Sequence, residues 1–353
     1  MRVLEVITGG EAGGAQRHVA ELTRFLADHG IMVTVAHGGG HWIDALVDGY
    51  ATIVTIPELT REIALGSDSR AARALARLMR QGYDVVHAHS SKAGILARWV
   101  GVRVGVPVVY TAHGLVFQDP TWPGWRRRLF HQLEQWAARR SAAIITMTPA
   151  DYAWAVARVG NRRAHFIPNG VSAPSSDNAR SLSNPPRIGF LGRLSPEKGL
   201  EVLLQAARMR PEWHWRIAGD GPLRDTVEKG VASLPHVSWA GWQENPASFL
   251  ETIDLLVHPS WKEGAPYTVL DAMALGVVPV VTRVGAQPAM VELVDPALVV
   301  EPGRPKALVT ALEYGLAHYE PLSRAARRVV QKHFNAEDGW SRTLTVLRQA
   351  AQR

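Results

Sequence analysis

The chain has 353 residues, 46% hydrophobic and 20% charged, with 39 Lys+Arg against 32 Asp+Glu and a formal net charge of +7. At roughly 150 residues per domain, this length gives about two domains, each large enough for its own core. The chain has no cysteine, which excludes disulfides, thiolate nucleophiles, iron–sulfur clusters and cysteine-bound zinc.

In chain order, the first half predicts strands at Val3–Ile7, Met32–Ala36, Thr52–Ile56, Val85–His87, Val108–Thr111, Ala143–Thr146 and His165–Ile167, with helical patterns such as Ala15–His29 and Ser69–Arg80 between them. Strand and helix alternating at this spacing imply a parallel sheet covered by helices on both faces. The sequence opens on a strand at Met1 to Ile7 rather than on a signal segment. No apolar run reaches the roughly 18 residues of a spanning helix. A cytoplasmic protein is therefore expected.

The first strand leads into Gly9-Gly10-Glu11-Ala12-Gly13-Gly14-Ala15-Gln16. Such a turn lets backbone approach a ligand and offers helix-start amides to an anion, though it also fits a plain tight turn. His87, His89 and His113 fall at predicted strand ends, where ligands bind in open α/β sheets. As a metal site they lack a carboxylate or further histidine placed by the sequence to complete a shell. Trp122 to Arg163 holds eight arginines against Glu134 and Asp151, a patch suited to phosphates or anionic lipid. Within it Trp125, Leu129, Leu133 and Trp136 share one helical stripe. The plainer reading packs the stripe on the sheet and leaves the arginines in solvent. The sharper one docks the patch on an anionic membrane.

Residues 169–186, NGVSAPSSDNARSLSNPP, read as a linker between domains at 1–168 and 187–334. The alternation then restarts with strands at Arg187–Leu191, Trp213–Ala218, Val237–Trp239, Leu255–His258, Val278–Val281 and Leu298–Val300. The expected fold is two doubly wound α/β domains, with the cleft between them as the default ligand site. Residues 335–353 form a last helix expected to pack back on the first domain. Arg193 and Lys198 flank the turn after the first strand of the second half. A planar fork and a point charge there suit two neighbouring phosphates, and two surface cations remain the plainer reading. Further on, Glu263 lies in a loop and Asp271 eight residues later on a helix. Carboxylates accept hydrogen bonds from vicinal diols, as in sugars and ribose. Asp271 also fits a buried ion pair.

No G-x-G-x-x-G, Walker A, Asp-x-Asp or G-x-S-x-G phrase occurs. Taken in order, however, GGEAGGAQ, HAHSSKAGILAR, YTAHG, IPNGV, GRLSPEKG, AGDGP and HPSWKEGAPYTVLDAMALGVVPVV resemble the retaining glycosyltransferases of family 4 over nearly the whole chain. The resemblance implies the GT-B fold, two Rossmann-like domains facing across a cleft, the first binding acceptor and the second the nucleotide sugar. It implies that Arg193 and Lys198 hold the diphosphate, that Glu263 contacts the donor sugar and Asp271 the ribose, and that His113 sits where the new bond forms. Gly13 and Gly14 would lie beside the phosphates and acceptor. Gly264, Ala265, Pro266 and Tyr267 would line the donor with backbone. The chain departs from the family pattern at Asp271, normally glutamate, and at Gly285-Ala286-Gln287-Pro288-Ala289, where a Gly-Gly-x-x-Glu phrase is common.

The implied reaction moves a sugar from a nucleotide-diphosphate donor to a glycan or undecaprenyl-diphosphate-linked acceptor, with retention, no metal and no other cofactor. HSSKAG with YTAHG is similar to bacterial capsule, exopolysaccharide and O-antigen enzymes, which suggests a peripheral site at the inner face of the plasma membrane. Two competing readings are a nucleotide-sugar 2-epimerase and a non-enzymatic basic protein that binds nucleic acid. The second explains the arginines but not Glu263, Asp271 and the cation pair, and no nucleic-acid module is recognisable, so no nucleic-acid partner is expected.

Overall fold

A computed structural model describes residues 1–60, 62, 64–118, 122–173 and 180–352. The chain divides into two compact units, Met1–Pro168 with Glu337–Arg353, and Asn169–Ala336.

Among the described residues, the first unit holds seven strands: β1 (Arg2–Ile7), β2 (Met32–His37), β3 (Thr52–Thr55), β4 (Val85–His89), β5 (Val108–Ala112), β6 (Ala143–Thr146) and β7 (Ala164–Phe166). They pair in parallel in the order β3-β2-β1-β4-β5-β6-β7. The second unit repeats the theme with β8 (Arg187–Leu191), β9 (His214–Ala218), β10 (Val237–Trp239), β11 (Leu255–His258), β12 (Val278–Thr282) and β13 (Val299–Val300), ordered β10-β9-β8-β11-β12-β13. In each sheet the winding reverses between its first and fourth strands. Such a switch point leaves a crevice beyond the carboxyl ends of the two central strands. Aliphatic side chains of β8, β11 and β12 are buried on both faces, as covering helices require.

Several expectations change in detail. The helices predicted at Ala15–His29 and Ser69–Arg80 run over Gly14–Asp28 and Leu65–Met79. Parts of the 169–186 segment pack on the second unit. Val171 is buried and bridges Asn335, and the Arg180 guanidinium donates to the carbonyls of Glu251 and Ile253 at 2.7 and 2.9 Å. Polar composition did not keep these residues off the second unit, because backbone acceptors there satisfy their donors. Residues 174–179 of that segment lie outside the described residues.

The plainer reading of the Trp125 stripe is also overturned. Helix Gly124–Ala138 buries Phe130, Glu134, Ala137 and Ala138, and leaves Trp125 69% and Leu129 44% exposed. Polar geometry sets this orientation. Glu134 meets the fully buried Arg98 at 2.6 Å, and that guanidinium lies 4.1 Å over the Tyr110 ring. A buried charge has to be paired, so the helix turns its one acid inward and its apolar stripe outward. Arg126 and Arg140 stack 3.9 Å over Trp122 and Trp136.

Candidate functional site

In the second unit the candidate side chains Arg193, Lys198 and Glu263 lie at the switch point, on the loops after β8 and β11. The turn after β8 ends in a short 3-10 segment, Pro196–Lys198, followed by Gly199 at φ +67°. A Cβ on Gly199 would lie 2.0 Å from the Pro259 carbonyl oxygen, so glycine is required sterically as well as conformationally. This approach sets Lys198 against the segment that follows β11. There Lys198 Nζ donates to Glu263 Oε1 at 2.6 Å, and Ser260 Oγ donates to the same oxygen at 2.7 Å. His258 Nδ1 lies 3.3 Å from it and donates to Gln287 Oε1 at 2.7 Å.

Burial alone would raise the Glu263 carboxyl, but the Lys198 charge, His258 and the two hydrogen bonds outweigh it and hold the group below its ordinary value. His258 is pushed down by burial, and Lys198 adds to this against the opposing pull of Glu263 and Gln287. The result is an ionised carboxylate, an ammonium and a neutral imidazole in one corner. Arg193 projects into solvent from the same turn.

The acidic loop is anchored rather than loose. Ala286 N donates to the Gly264 carbonyl at 2.8 Å, and Gly285 at φ +58° allows that approach. Asn169 Nδ2 donates to the Ala265 carbonyl at 2.8 Å. Pro266 caps helix Tyr267–Ala274, with Tyr267 buried and Asp271 partly buried on its second turn. Sequence reasoning missed His258, Gln287 and Asn169. The signal available was positional: one ends a strand, one replaces the family's common glycine-rich phrase, and one lies in IPNGV.

In the first unit, a Cβ on Gly13 would lie 2.6 Å from the Gln16 side-chain oxygen. Gly13 is extended at φ −179°, which any residue adopts, and Gly14 is the first helical residue. Gly10 instead packs its backbone on Gly40, where a Cβ would meet the carbonyl oxygen at 2.5 Å. Gly13 and Gly14 still open a fifteen-residue helix at the end of β1.

His89 ends β4 and His113 follows β5. Glu5, His87 and His89 are fully buried, and a second carboxylate-bearing cluster results. Glu5 Oε2 lies 2.7 Å from His89 Nε2, Glu5 Oε1 lies 3.1 Å from His87 Nδ1, and His89 Nδ1 lies 3.0 Å from His113 Nε2. His18 stacks edge-on to His113 at 4.9 Å and to Trp340 of the last helix at 4.7 Å. The sequence expectation that no carboxylate or further histidine stands near these imidazoles is therefore wrong. Glu5 and His18 both do, and His18–His89–His113 and Glu5–His87–His89 each place ligand atoms within 4.8 Å of one another. Neutral imidazoles of this kind have the chemistry to hold a transition ion. Ser90, just beyond β4, takes φ +64° with its hydroxyl 2.8 Å from Thr8 Oγ1, a strained residue pinning the ends of β4 and β1.

Two family descriptions match in tandem, Glycosyltransferase Family 4 over residues 12–173 and Glycosyl transferases group 1 over residues 185–318. The chain belongs to the family 4, group 1 glycosyltransferases. Among its relatives, it is 29% identical over 262 residues to an Escherichia coli UDP-Gal:α-D-GlcNAc-diphosphoundecaprenol α-1,3-galactosyltransferase, covering 67% of each chain. It is 22% identical over 282 residues to the O-antigen biosynthesis glycosyltransferase WbnH of Escherichia coli, covering 79% of this chain and 80% of that one. Its structure is similar to Anabaena HepE solved with UDP and glucose, with TM-score 0.81, 18% identity and 99% of each chain covered. Sucrose-phosphate synthase from Thermosynechococcus elongatus gives TM-score 0.80 at 20% identity, covering 99% of this chain and 98% of that one. The fold is GT-B, built from two Rossmann-like units, and the protein is a glycosyltransferase.

A pH dependence of stability follows from the buried groups. Burial pushes His89 and His113 well below the ordinary histidine value, helped by neighbouring imidazoles, and lowers His258. Below about pH 6.5 the unfolded chain binds protons that these folded imidazoles refuse, so stability falls as pH falls. Asp151, pushed up to about 6 by burial, works in the opposite direction with one carboxyl against three imidazoles. The melting temperature should fall between pH 7 and 5.5, by on the order of 1 kcal/mol of stability per pH unit for each net group. A calorimetric melting temperature that holds or rises over that interval contradicts the assignment.

Proposed function

We propose that this glycosyltransferase moves a sugar, with retention, from a nucleotide-diphosphate sugar to a glycan or undecaprenyl-diphosphate-linked acceptor in bacterial surface-polysaccharide assembly. The observation that carries the reading is the corner at the ends of β8 and β11, where Lys198 pairs with an ionised Glu263 and Arg193 stands exposed on the same turn as Lys198. The named activity of the Escherichia coli galactosyltransferase and the O-antigen role in the name of WbnH support the acceptor class.

In this reading Arg193 and Lys198 take the diphosphate, Asp271 the ribose hydroxyls and Glu263 the donor sugar, with Gly264 to Tyr267 lining it. His113 and the Gly13–Gly14 turn serve the sugar and acceptor. The anomeric carbon loses its bond to the phosphate oxygen and gains one to the acceptor oxygen on the same face. The departing phosphate takes the acceptor's proton. The two cations stabilise its developing charge, and Glu263 stabilises the positive charge on the sugar ring. No metal is needed in this scheme, because side-chain cations meet the leaving group directly. Arg193→Ala should lower turnover on the order of 10²-fold, and EDTA should leave wild-type turnover unchanged. Full activity of a folded Arg193→Ala variant, or loss of activity with EDTA, contradicts the scheme.

The outward stripe of helix Gly124–Ala138 suits the membrane where such acceptors reside. Trp125 and Leu129 stand exposed beside Arg126, Arg127 and Arg128, and Glu134 is buried out of opposition to them. Apolar insertion then adds to about 1 kcal/mol of attraction per basic residue near an anionic surface. No helix among the described residues is long and apolar enough to cross a membrane. The protein should float with phosphatidylglycerol-rich vesicles and not with neutral ones, and Trp125→Ser/Leu129→Ser should release it. Equal flotation with both vesicle types discards the membrane claim.

A further inference from the structure

A glutamate in the middle of a parallel sheet is costly. Moving a carboxylate out of water takes several kcal/mol unless hydrogen bonds replace the lost solvent. Glu5 lies in β1 in register with His87 of β4, fully buried, where an aliphatic residue would pack without that cost. What Glu5 does can be read from the proton inventory of the groups around it.

A carboxylate only accepts hydrogen bonds, and a neutral imidazole has one N–H and one lone pair. His89 must therefore donate from Nε2 to Glu5 at 2.7 Å, and His87 must donate from Nδ1 at 3.1 Å. That fixes the opposite nitrogen of each ring as an acceptor. His87 Nε2 then accepts from the Thr111 hydroxyl at 2.7 Å. His89 Nδ1 accepts from His113 Nε2 at 3.0 Å. His113 is left with its proton on Nε2 and a lone pair on Nδ1. With Glu5 as a carboxylate and the three rings neutral, one arrangement of protons satisfies every pair, and Glu5 dictates it. Glu5, His87, His89 and Thr111 are sealed, whereas His113 is partly exposed, so among these five His113 is where the chain of bonds opens.

We propose that Glu5 is a positioning residue which, acting through His89, holds His113 as a neutral imidazole that accepts at Nδ1, so that His113 receives a hydrogen bond from a hydroxyl of the bound sugar rather than donating one. This rests on the reading that His113 meets the sugar. It adds what that reading lacked, the direction of the hydrogen bond and the group that sets it. The other tautomer would present an N–H at this position, and the sugar hydroxyl would have to turn and accept instead of donating. The Thr8–Ser90 bond and the Trp340–His18–His113 ring contacts hold the rings in place around this chain of bonds.

The test uses full-length protein labelled with 15N-histidine, free of added ligand. Long-range proton–nitrogen spectra should show His89 and His113 as Nε2–H tautomers and His87 as the Nδ1–H tautomer at pH 7.5. In Glu5→Leu the single-tautomer signature of His113 should be lost, and kcat should fall at least ~10-fold, as supporting groups behind a functional histidine do. KM for the nucleotide sugar should stay within about threefold, because the diphosphate groups lie in the other unit. His113 seen as the Nδ1–H tautomer or as imidazolium in the wild type overturns the proposal. So does stoichiometric zinc held by the purified protein, or a folded Glu5→Leu variant with full turnover. The wild-type spectrum decides the tautomers even if Glu5→Leu does not fold. Full activity of His113→Ala with the expected spectrum would instead remove the assigned role of His113 and leave the hydrogen-bond chain standing.

Discussion

A buried carboxylate has to be surrounded by donors, and Glu263 and Glu5 each meet that demand near a switch point. In the second unit Glu263 is held by the Lys198 ammonium and the Ser260 hydroxyl beside His258. In the first, Glu5 is held by two imidazole N–H groups. Remove the donors and either acid becomes an unpaired buried charge, a defect of roughly 3–5 kcal/mol. The surrounding structure answers to this need. Gly199 exists to bring Lys198 within reach, Gly285 to let the Glu263 loop sit down, and Gln287 to brace His258. Pairing thus fixes the positions of both carboxylates within their own units.

The same rule explains the surface. Arg98 needs Glu134, so helix Gly124–Ala138 turns that acid inward. The arginines and tryptophans left outside form a face with no acidic residue of the helix to offset it. Arg126 of this helix stacks over Trp122, and Arg140 just beyond it stacks over Trp136.

Much of this was legible in the sequence. The alternation of strand and helix gave both sheets, and the ordered phrases gave the family, because apolar runs and glycine turns are local signals. Arg193, Lys198, Glu263 and Asp271 were singled out by the same phrases, and the structure pairs Lys198 with Glu263. What stayed hidden depends on packing. Glu5 looks like a lone acid inside RVLEVI, and only strand register places it beside His87. The stripe of Trp125 and Trp136 reads as a core face by periodicity, and only the Arg98–Glu134 pair, joining residues far apart in the chain, turns it outward. Gly13 and Gly14 were marked by composition, while the close backbone approach belongs to Gly10 and Gly40.

In the proposed function the cations after β8 neutralise a diphosphate. Calorimetric titration of UDP and of uridine into wild-type protein and a folded Lys198→Ala variant tests this most directly. UDP should bind the wild type at least ~10-fold more tightly than it binds the variant, the scale of a lost charge-assisted contact, and uridine should scarcely distinguish the two. Equal UDP affinity in both proteins would contradict the account.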